Sequence, residues 1–201
     1  MQHLTVTLRF PNWIKNFLQR GPAYFPAKVD RMRLAIALAH ANVKNQTGGP
    51  FGAAVFQCDT GTLVSVGVNR VVSQHCSFAH AEIMALGLAQ QSLGTFDLGG
   101  EDLPAHELVT SAQVCVMCFG AIIWSGVRSV VSGATSQDVE NIVGFDEGNL
   151  PPNWVHELEL RGINVETELL RSEAREVLKM YAASNGIVYN GRCGDKKGRD
   201  K

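Results

Sequence analysis

Long apolar runs are missing from this 201-residue sequence: no stretch reaches the ~18 uninterrupted apolar residues of a membrane span. The first residues lack the apolar core and small-residue cleavage site of a secretory signal. Cysteine is scarce, with five residues, an odd count. Together these predict reduced thiols and a cytoplasmic setting. Excess charge of one sign is missing too. Eighteen Lys and Arg against 19 Asp and Glu leave a formal charge of -1, without the basic field typical of nucleic-acid binders. Basic residues cluster only from Gly194 to Lys201, so residues 191–201 are expected to form a flexible tail. Neither internal repeats nor low-complexity segments occur. What is present is 45% apolar content, enough for one domain with a real core and somewhat short for two.

Residues 1–25 are broken by Pro11, Gly21 and Pro22, with Pro26 next. Within them Trp13, Ile14, Phe17 and Leu18 have helical spacing, which predicts a short helix docked on a domain of residues 26–190. This extension carries no recognisable chemistry. A largely buried helix is expected from about Val29 to Asn45, ended by Thr47-Gly48-Gly49-Pro50. Ala53–Phe56 and Leu63–Val68 read as a hairpin turned by Asp59-Thr60-Gly61. A helix from about Phe78 to Gln90 and a strand over Leu108–Thr110 follow. Val116–Trp124 is a helix apolar on every side, the pattern of one buried in a layered domain. Ser129–Ser132 reads as a strand, Thr135–Ile142 as a weak helix, Ile163–Glu168 as a strand and Arg171–Asn185 as an amphipathic closing helix. Strands alternating with helices after an opening hairpin predict an α/β fold with a mixed sheet between helical layers. The connection from Val131 to Ile163 can hold a crossover helix, which makes those strands parallel.

His80-Ala81-Glu82 and Cys115-Val116-Met117-Cys118 carry the chemistry. Positions three apart share a helix face, so a CxxC opening a helix aims both sulfurs at one point, beside the positive end of the dipole. That field stabilises thiolates, the form that binds zinc. His80, Cys115 and Cys118 make three protein ligands, and a tetrahedral zinc then keeps one position for water, as in catalytic sites. Glu82 sits among Ala79, Ala81, Ile83, Met84, Ala85 and Leu86, where a carboxylate is costly unless paired or used. Ser77 is placed to cap this helix. A carboxylate beside zinc-bound water, whose pKa falls to ~7, can take the proton and return it to a substrate. A CxxC alone also suits a redox pair, but the thioredoxin-like setting with Gly-Pro between the thiols is absent. His-x-Glu followed by C-x-x-C is the known signature of zinc deaminases.

The matching residues extend beyond the ligands. Gly48-Gly49-Pro50-Phe51-Gly52-Ala53, Asn69, His80-Ala81-Glu82, Thr110-Ser111-Ala112, Cys115 to Cys118 with Gly120-Ala121-Ile122, and Gly144-Phe145-Asp146-Glu147 fall in the order seen in bacterial guanine deaminases. From about Val29 to Tyr189 the chain therefore resembles the cytidine deaminase superfamily, and tRNA adenosine and cytosine deaminases share the first half of these motifs. The Gly144–Glu147 run and a late tyrosine favour guanine. The resemblance implies a three-layer α/β/α sandwich with a mixed five-stranded sheet, a Zn2+ cofactor, and conversion of a free nucleobase, guanine, to xanthine and ammonia, a step of purine catabolism. It also implies a homodimer, with the C-terminal segment placed over the partner's site. Glu82 is then the proton shuttle and Glu147 the second proton carrier, with Asp146 the alternative.

Asn69 ends a strand, where its amide can both donate to and accept from a purine edge. Phe51 can stack on a flat ring or pack in the core. Ala81, Trp124 and Tyr189 complete the expected substrate contacts, though Trp124 and Tyr189 also suit simple packing. The family's Glu-Pro-Cys-Pro-x-Cys is here Gln113-Val114-Cys115-Val116-Met117-Cys118. Gln113 keeps hydrogen bonding without the charge, and loss of both prolines leaves the loop less preset. Neither proline is a ligand, so zinc binding should survive. Cys58, Cys76 and Cys193 lack a partner spacing and are expected as free thiols. Alternatives are a related triazine, cytosine or tRNA adenosine as substrate, or an inactive zinc-stabilised binding protein. The retained Glu82 argues against the last, since a structural zinc has no use for a proton shuttle.

Overall fold

Three strands buried along almost their whole length set the architecture: β1 (Gly52–Gln57), β3 (His106–Ala112) and β4 (Ser129–Ala134). Such strands need cover on both faces. The computed structural model, which describes residues 4–191, supplies that cover with helices. The remaining strands are β2 (Leu63–Val68) and β5 (Asn164–Glu166). The helices are α1 (Trp13–Leu18), α2 (Lys28–Lys44), α3 (Val71–Gln74), α4 (Ala81–Leu93), α5 (Val116–Ser125), α6 (Ser136–Ile142), α7 (Trp154–Glu159) and α8 (Arg171–Ala183).

The sheet runs in the order β2-β1-β3-β4-β5. β1 is antiparallel to both β2 and β3, while β3–β4 and β4–β5 are parallel. The mixed five-stranded sheet and the parallel pairing expected across the long connection are therefore present. Alternation along each strand divides the core in two. Ala54, Phe56, Val109 and Val131 face α2, α6 and α8, together with Ile14 of α1. Ala53, Val55, Leu108 and Val130 face α4, α5 and Leu158 of α7. The result is an α/β/α sandwich. No helix among the described residues is long and apolar enough to cross a membrane.

Several local expectations are corrected. Besides α6, where a helix was expected, the Val131-to-Ile163 connection holds α7; α7 and α3 were unforeseen. The final strand stops at Glu166, two residues before Glu168 takes a φ of 64°. α4 begins at Ala81, with His80 at its N-cap, so Ser77 does not cap it. α5 is not buried all round: Val116 is 42% and Trp124 85% exposed. A helix in an outer layer meets the sheet along one face, and apolar residues on its other face stay uncovered within one chain. Cys193 and the basic run from Gly194 lie outside the described residues.

The hairpin seats α4. A Cβ at Gly67 of β2 would lie 1.9 Å from the carbonyl oxygen of Ala81. Only glycine allows so close an approach, and it brings the first turn of α4 against the sheet beside the end of β3.

Candidate active site

Two helix N-termini converge on one point. His80 at the N-cap of α4 and Cys115 at the N-cap of α5 both have extended backbone, and neither makes a side-chain cap. Their side chains project off the helix ends. Cys118 follows in the first turn of α5, so the spacing of three returns its sulfur to Cys115, as the sequence predicts.

His80 Nδ1 lies 3.5 Å from Cys115 Sγ and 3.6 Å from Cys118 Sγ, and the three atoms all lie within 4.8 Å of one another. Zinc bonds of ~2.3 Å to sulfur and ~2.05 Å to nitrogen at tetrahedral angles would separate nitrogen from sulfur by about 3.6 Å. The donor set and its spacing fit zinc. The electrostatics prepare the ligands. The hydrogen bond from Cys118, followed by His80, pulls the Cys115 thiol down to about 4, a thiolate at neutral pH. Bonding to that thiolate and burial hold the Cys118 thiol well above its usual value. Burial opposes the charge of His80, but Cys115 outweighs it and the imidazole rises.

Glu82, 6% exposed, stands beside them. Thr110 Oγ1 of β3 donates to its Oε1 at 3.1 Å, and the Cys118 sulfur lies 3.5 Å from its Oε2. Burial, then the negative charge of Cys115, raises its proton affinity. Neighbours that hold a carboxyl in place without fully supporting its charge produce a group able to take and return a proton.

A cavity of about 320 Å³ opens over this cluster, lined among others by His80, Glu82 and Cys115, by Phe51 and Asn69, and by Phe145, Asp146, Glu147 and Tyr189. A wider groove of about 770 Å³ lies between α1 and α2, away from His80, Cys115 and Cys118.

Asn69 is fully buried, and its Oδ1 accepts the N–H groups of Gly49 and Val71, both at 3.3 Å. Its Nδ2 has no partner among the described residues. Asn69 can therefore donate to a ligand but not readily accept, which narrows the two-way role expected of it. The buried hydroxyl of Tyr189 also lacks a partner among the described residues, and burial holds its phenol well above the usual value. Phe145 packs 5.4 Å from Phe51 and 4.5 Å from Tyr189 between ring centroids. Phe51 thus serves both the core and the cavity wall.

Glu147 has its carboxyl pushed up to about 8, first by burial and then by the charges of Cys115 and Glu82. Asp146 is exposed, and its Oδ1 accepts the N–H of Gly148 at 3.0 Å, a turn-forming contact. Asn190 pins the C-terminal segment onto this loop. Its Oδ1 accepts the N–H of Asp146 at 2.9 Å and its Nδ2 donates to Gly144 O at 2.9 Å. Within the single chain the segment lies over that chain's own cavity.

Two expected contacts are not brought together with the rest. Trp124 lies on the outer face of α5, and Ala81 is buried beneath β2, so neither lines the cavity. Thr110 and Asn190 were missed as site residues. Thr110 stood within a recognised motif, but its hydrogen bond depends on the meeting of β3 and α4. Cys58 and Cys76 are free thiols.

The family model for the cytidine and deoxycytidylate deaminase zinc-binding region matches residues 27–134. The chain belongs to this family of zinc-binding deaminases. Within it, the similarity runs to guanine deaminases. The guanine deaminase from Nitrosomonas europaea is 50% identical over 91% of this chain and 99% of its own, with a TM-score of 0.85. A protein solved in complex with 2,6-diaminopurine is 52% identical over 93% of this chain and 97% of its own, with a TM-score of 0.85. The guanine deaminase of Bacillus subtilis (strain 168) is 34% identical over 116 residues, 58% of this chain and 69% of its own.

Proposed function

We propose that this chain hydrolyses guanine to xanthine and ammonia, using a zinc ion held by His80, Cys115 and Cys118. The observation that carries this reading is Glu82, a buried carboxyl of raised proton affinity beside three convergent ligand atoms. Bound there, zinc supplies the Lewis acidity that makes water a nucleophile near neutral pH. Glu82 takes a proton from the attacking water and delivers it to a ring nitrogen. Glu147, protonated near neutrality, gives a proton to the departing amine. As ammonia leaves and the new carbonyl forms, its hydroxyl proton returns to Glu147, so one water is consumed, one ammonia is released, and atoms and protons balance.

Asn69 Nδ2 donates to an acceptor on the purine edge, the Tyr189 hydroxyl offers a second polar contact, and Phe51 faces the flat ring. Asp146, exposed and engaged with Gly148, is the weaker candidate for proton transfer. The relatives support the substrate class: guanine and 2,6-diaminopurine both carry an amino group at position 2 of a purine. Ammonia release from guanine, cytosine, a guanine-like triazine and a tRNA adenosine substrate, with and without chelator, tests the reading. Guanine should react fastest, and chelation should stop the reaction until zinc is restored. Zinc-loaded protein that leaves guanine unchanged rejects it.

The assembly belongs to the same proposal. The uncovered apolar face of α5, with Val116 and Trp124, supports a homodimer, and a monomer in sedimentation equilibrium would exclude it. Free cysteines suit a reducing cytoplasm, which localisation of the tagged full chain can check, and a role in purine breakdown follows from guanine as substrate.

A further inference from the structure

The N-terminal extension holds none of the reactive groups, yet hydrogen bonds lead from it to the wall of the cavity. Trp13 Nε1 of α1 donates to Thr47 Oγ1 at 3.0 Å. The Thr47 hydroxyl has one proton, which goes to Asn42 Oδ1 at 2.7 Å. Asn42, fully buried near the end of α2, uses its two amide protons on Gly49 O and Asn69 O, each at 2.9 Å. Gly49 N–H in turn donates to Asn69 Oδ1, the bond that leaves Asn69 Nδ2 facing the cavity.

The same loop is held from its other side. Thr47 O accepts from Arg70 Nη1 at 2.6 Å and from Ser73 Oγ at 3.1 Å. Arg70 Nε donates to Arg9 O at 3.2 Å, and Arg9 N–H donates to Gln74 Oε1 at 3.0 Å. Slack is absent: a Cβ at Gly48 would stand 1.9 Å from Asn69 O and 2.8 Å from Asn42 Nδ2.

We propose that Trp13, Thr47 and Asn42 are positioning residues for substrate binding, and that the extension acts as a brace for the loop that orients Asn69. None of the three touches reacting atoms. They act by holding the backbone of Gly49 and Asn69, so they govern how well the purine edge is met rather than the rate of the chemical steps. Both amide protons of Asn42 are committed and Thr47 is the one donor its oxygen receives among the described residues, so loss of the Thr47 hydroxyl leaves its buried oxygen without a donor. The inference rests on the reading of this cavity as the guanine site.

The test compares Thr47→Val, which removes the hydroxyl at nearly constant volume, with Thr47→Ser, which keeps it. Trp13→Phe removes the indole donor, and Asn69→Ala marks the full loss of the contact. Leu158→Ala, a fully buried residue on the other face of the sheet, controls for a general loss of stability. With zinc-loaded protein, Thr47→Val should raise KM for guanine roughly fivefold to tenfold, the loss of about one hydrogen bond. Its kcat should stay within about twofold and its zinc content unchanged, while Thr47→Ser restores KM. Trp13→Phe should give a smaller rise. Hydrogen exchange at the Gly49 amide should quicken in Thr47→Val, a readout independent of turnover. Leu158→Ala should lower Tm and leave KM alone. The proposal falls if Asn69→Ala raises KM and Thr47→Val does not, or if Leu158→Ala reproduces the Thr47→Val pattern. Wild-type protein inert toward guanine sinks instead the reading beneath it.

Discussion

Glu82 and Glu107 are both buried glutamates tied to β3, and their surroundings are opposite. Glu107, 2% exposed, pairs with Arg31 at 3.0 Å and accepts Ser129 Oγ at 2.8 Å. Arg31 donates onward to the carbonyls of Phe25, Pro26 and Cys58. Three residues further along β3, Thr110 reaches Glu82, whose other close neighbour is a cysteine sulfur. The first carboxylate has a dedicated cation and a donor for each oxygen, and it fastens α2 to the sheet. The second is left short of partners, and its proton affinity rises. Near-complete pairing marks a carboxylate that holds the fold; incomplete pairing beside open space marks one that exchanges protons.

The sharpest way to break this comparison is to neutralise each group in turn. Glu107→Gln leaves Arg31 buried without its counter-charge, which should cost about 3–5 kcal/mol. For a chain of this length that is on the order of 10 °C in Tm. Glu82→Gln removes a charge that burial already disfavours, so Tm should hold or rise while turnover falls ~10²–10⁴-fold. Thermal melts and guanine turnover on both zinc-loaded variants decide. A Tm loss confined to Glu82→Gln would reverse the assignment.

What the sequence disclosed follows the range of the interactions. The convergence of His80, Cys115 and Cys118, with Glu82 beside them, was legible because CxxC at a helix start and His-x-Glu act over one turn of chain. The hairpin, the parallel pair and α1 were legible from periodicity and turn residues. Arg31 and Glu107 lie 76 positions apart, and no local pattern pairs a helix arginine with a strand glutamate. Trp124 was misplaced because a helix apolar on every side does not say which side meets the sheet. Ser77 failed as a cap because His80 itself takes the N-cap. The donor-only state of Asn69 depends on Gly49, 20 residues away, whose N–H occupies its oxygen.

Glu147 sharpens the comparison at an intermediate scale, since burial without a cation gives it a value of about 8. As a proton donor it works below that value and is lost as pH rises through it. Bound zinc adds positive charge near Cys115 and pulls the value down, so the alkaline fall in kcat should lie at or somewhat below 8. Glu147→Gln should lower kcat roughly 10-fold to 100-fold and remove that alkaline limb. A variant that keeps the limb at full height assigns it to another group and leaves Glu147 a wall residue.

The smallest effect belongs to a carboxylate of the first kind placed nearer to solvent. Asp138 of α6 closes a capping box with Thr135: its N–H donates to Thr135 Oγ1 at 3.2 Å and its Oδ2 accepts the Thr135 N–H at 3.0 Å. Arg171 of α8 grips both oxygens, at 2.7 and 3.1 Å. The guanidinium holds the carboxyl down to about 2, from a usual 3.8. A depressed carboxylate stabilises the fold fully above its unfolded value, and that contribution disappears as pH falls from about 4 through about 2. Arg171 is 38% exposed, so solvent screening reduces the contribution to on the order of 1–2 kcal/mol, below that expected for Glu107. Urea midpoints from pH 7 down to pH 2 should show an acid loss that Asp138→Asn largely removes, having already lost the stability at neutral pH. Concentrated salt should shrink the Asp138 difference and leave that of Glu107 nearly intact, because the second pair is shielded from ions. Equal salt sensitivity at both sites would show that burial is not what separates the two pairs.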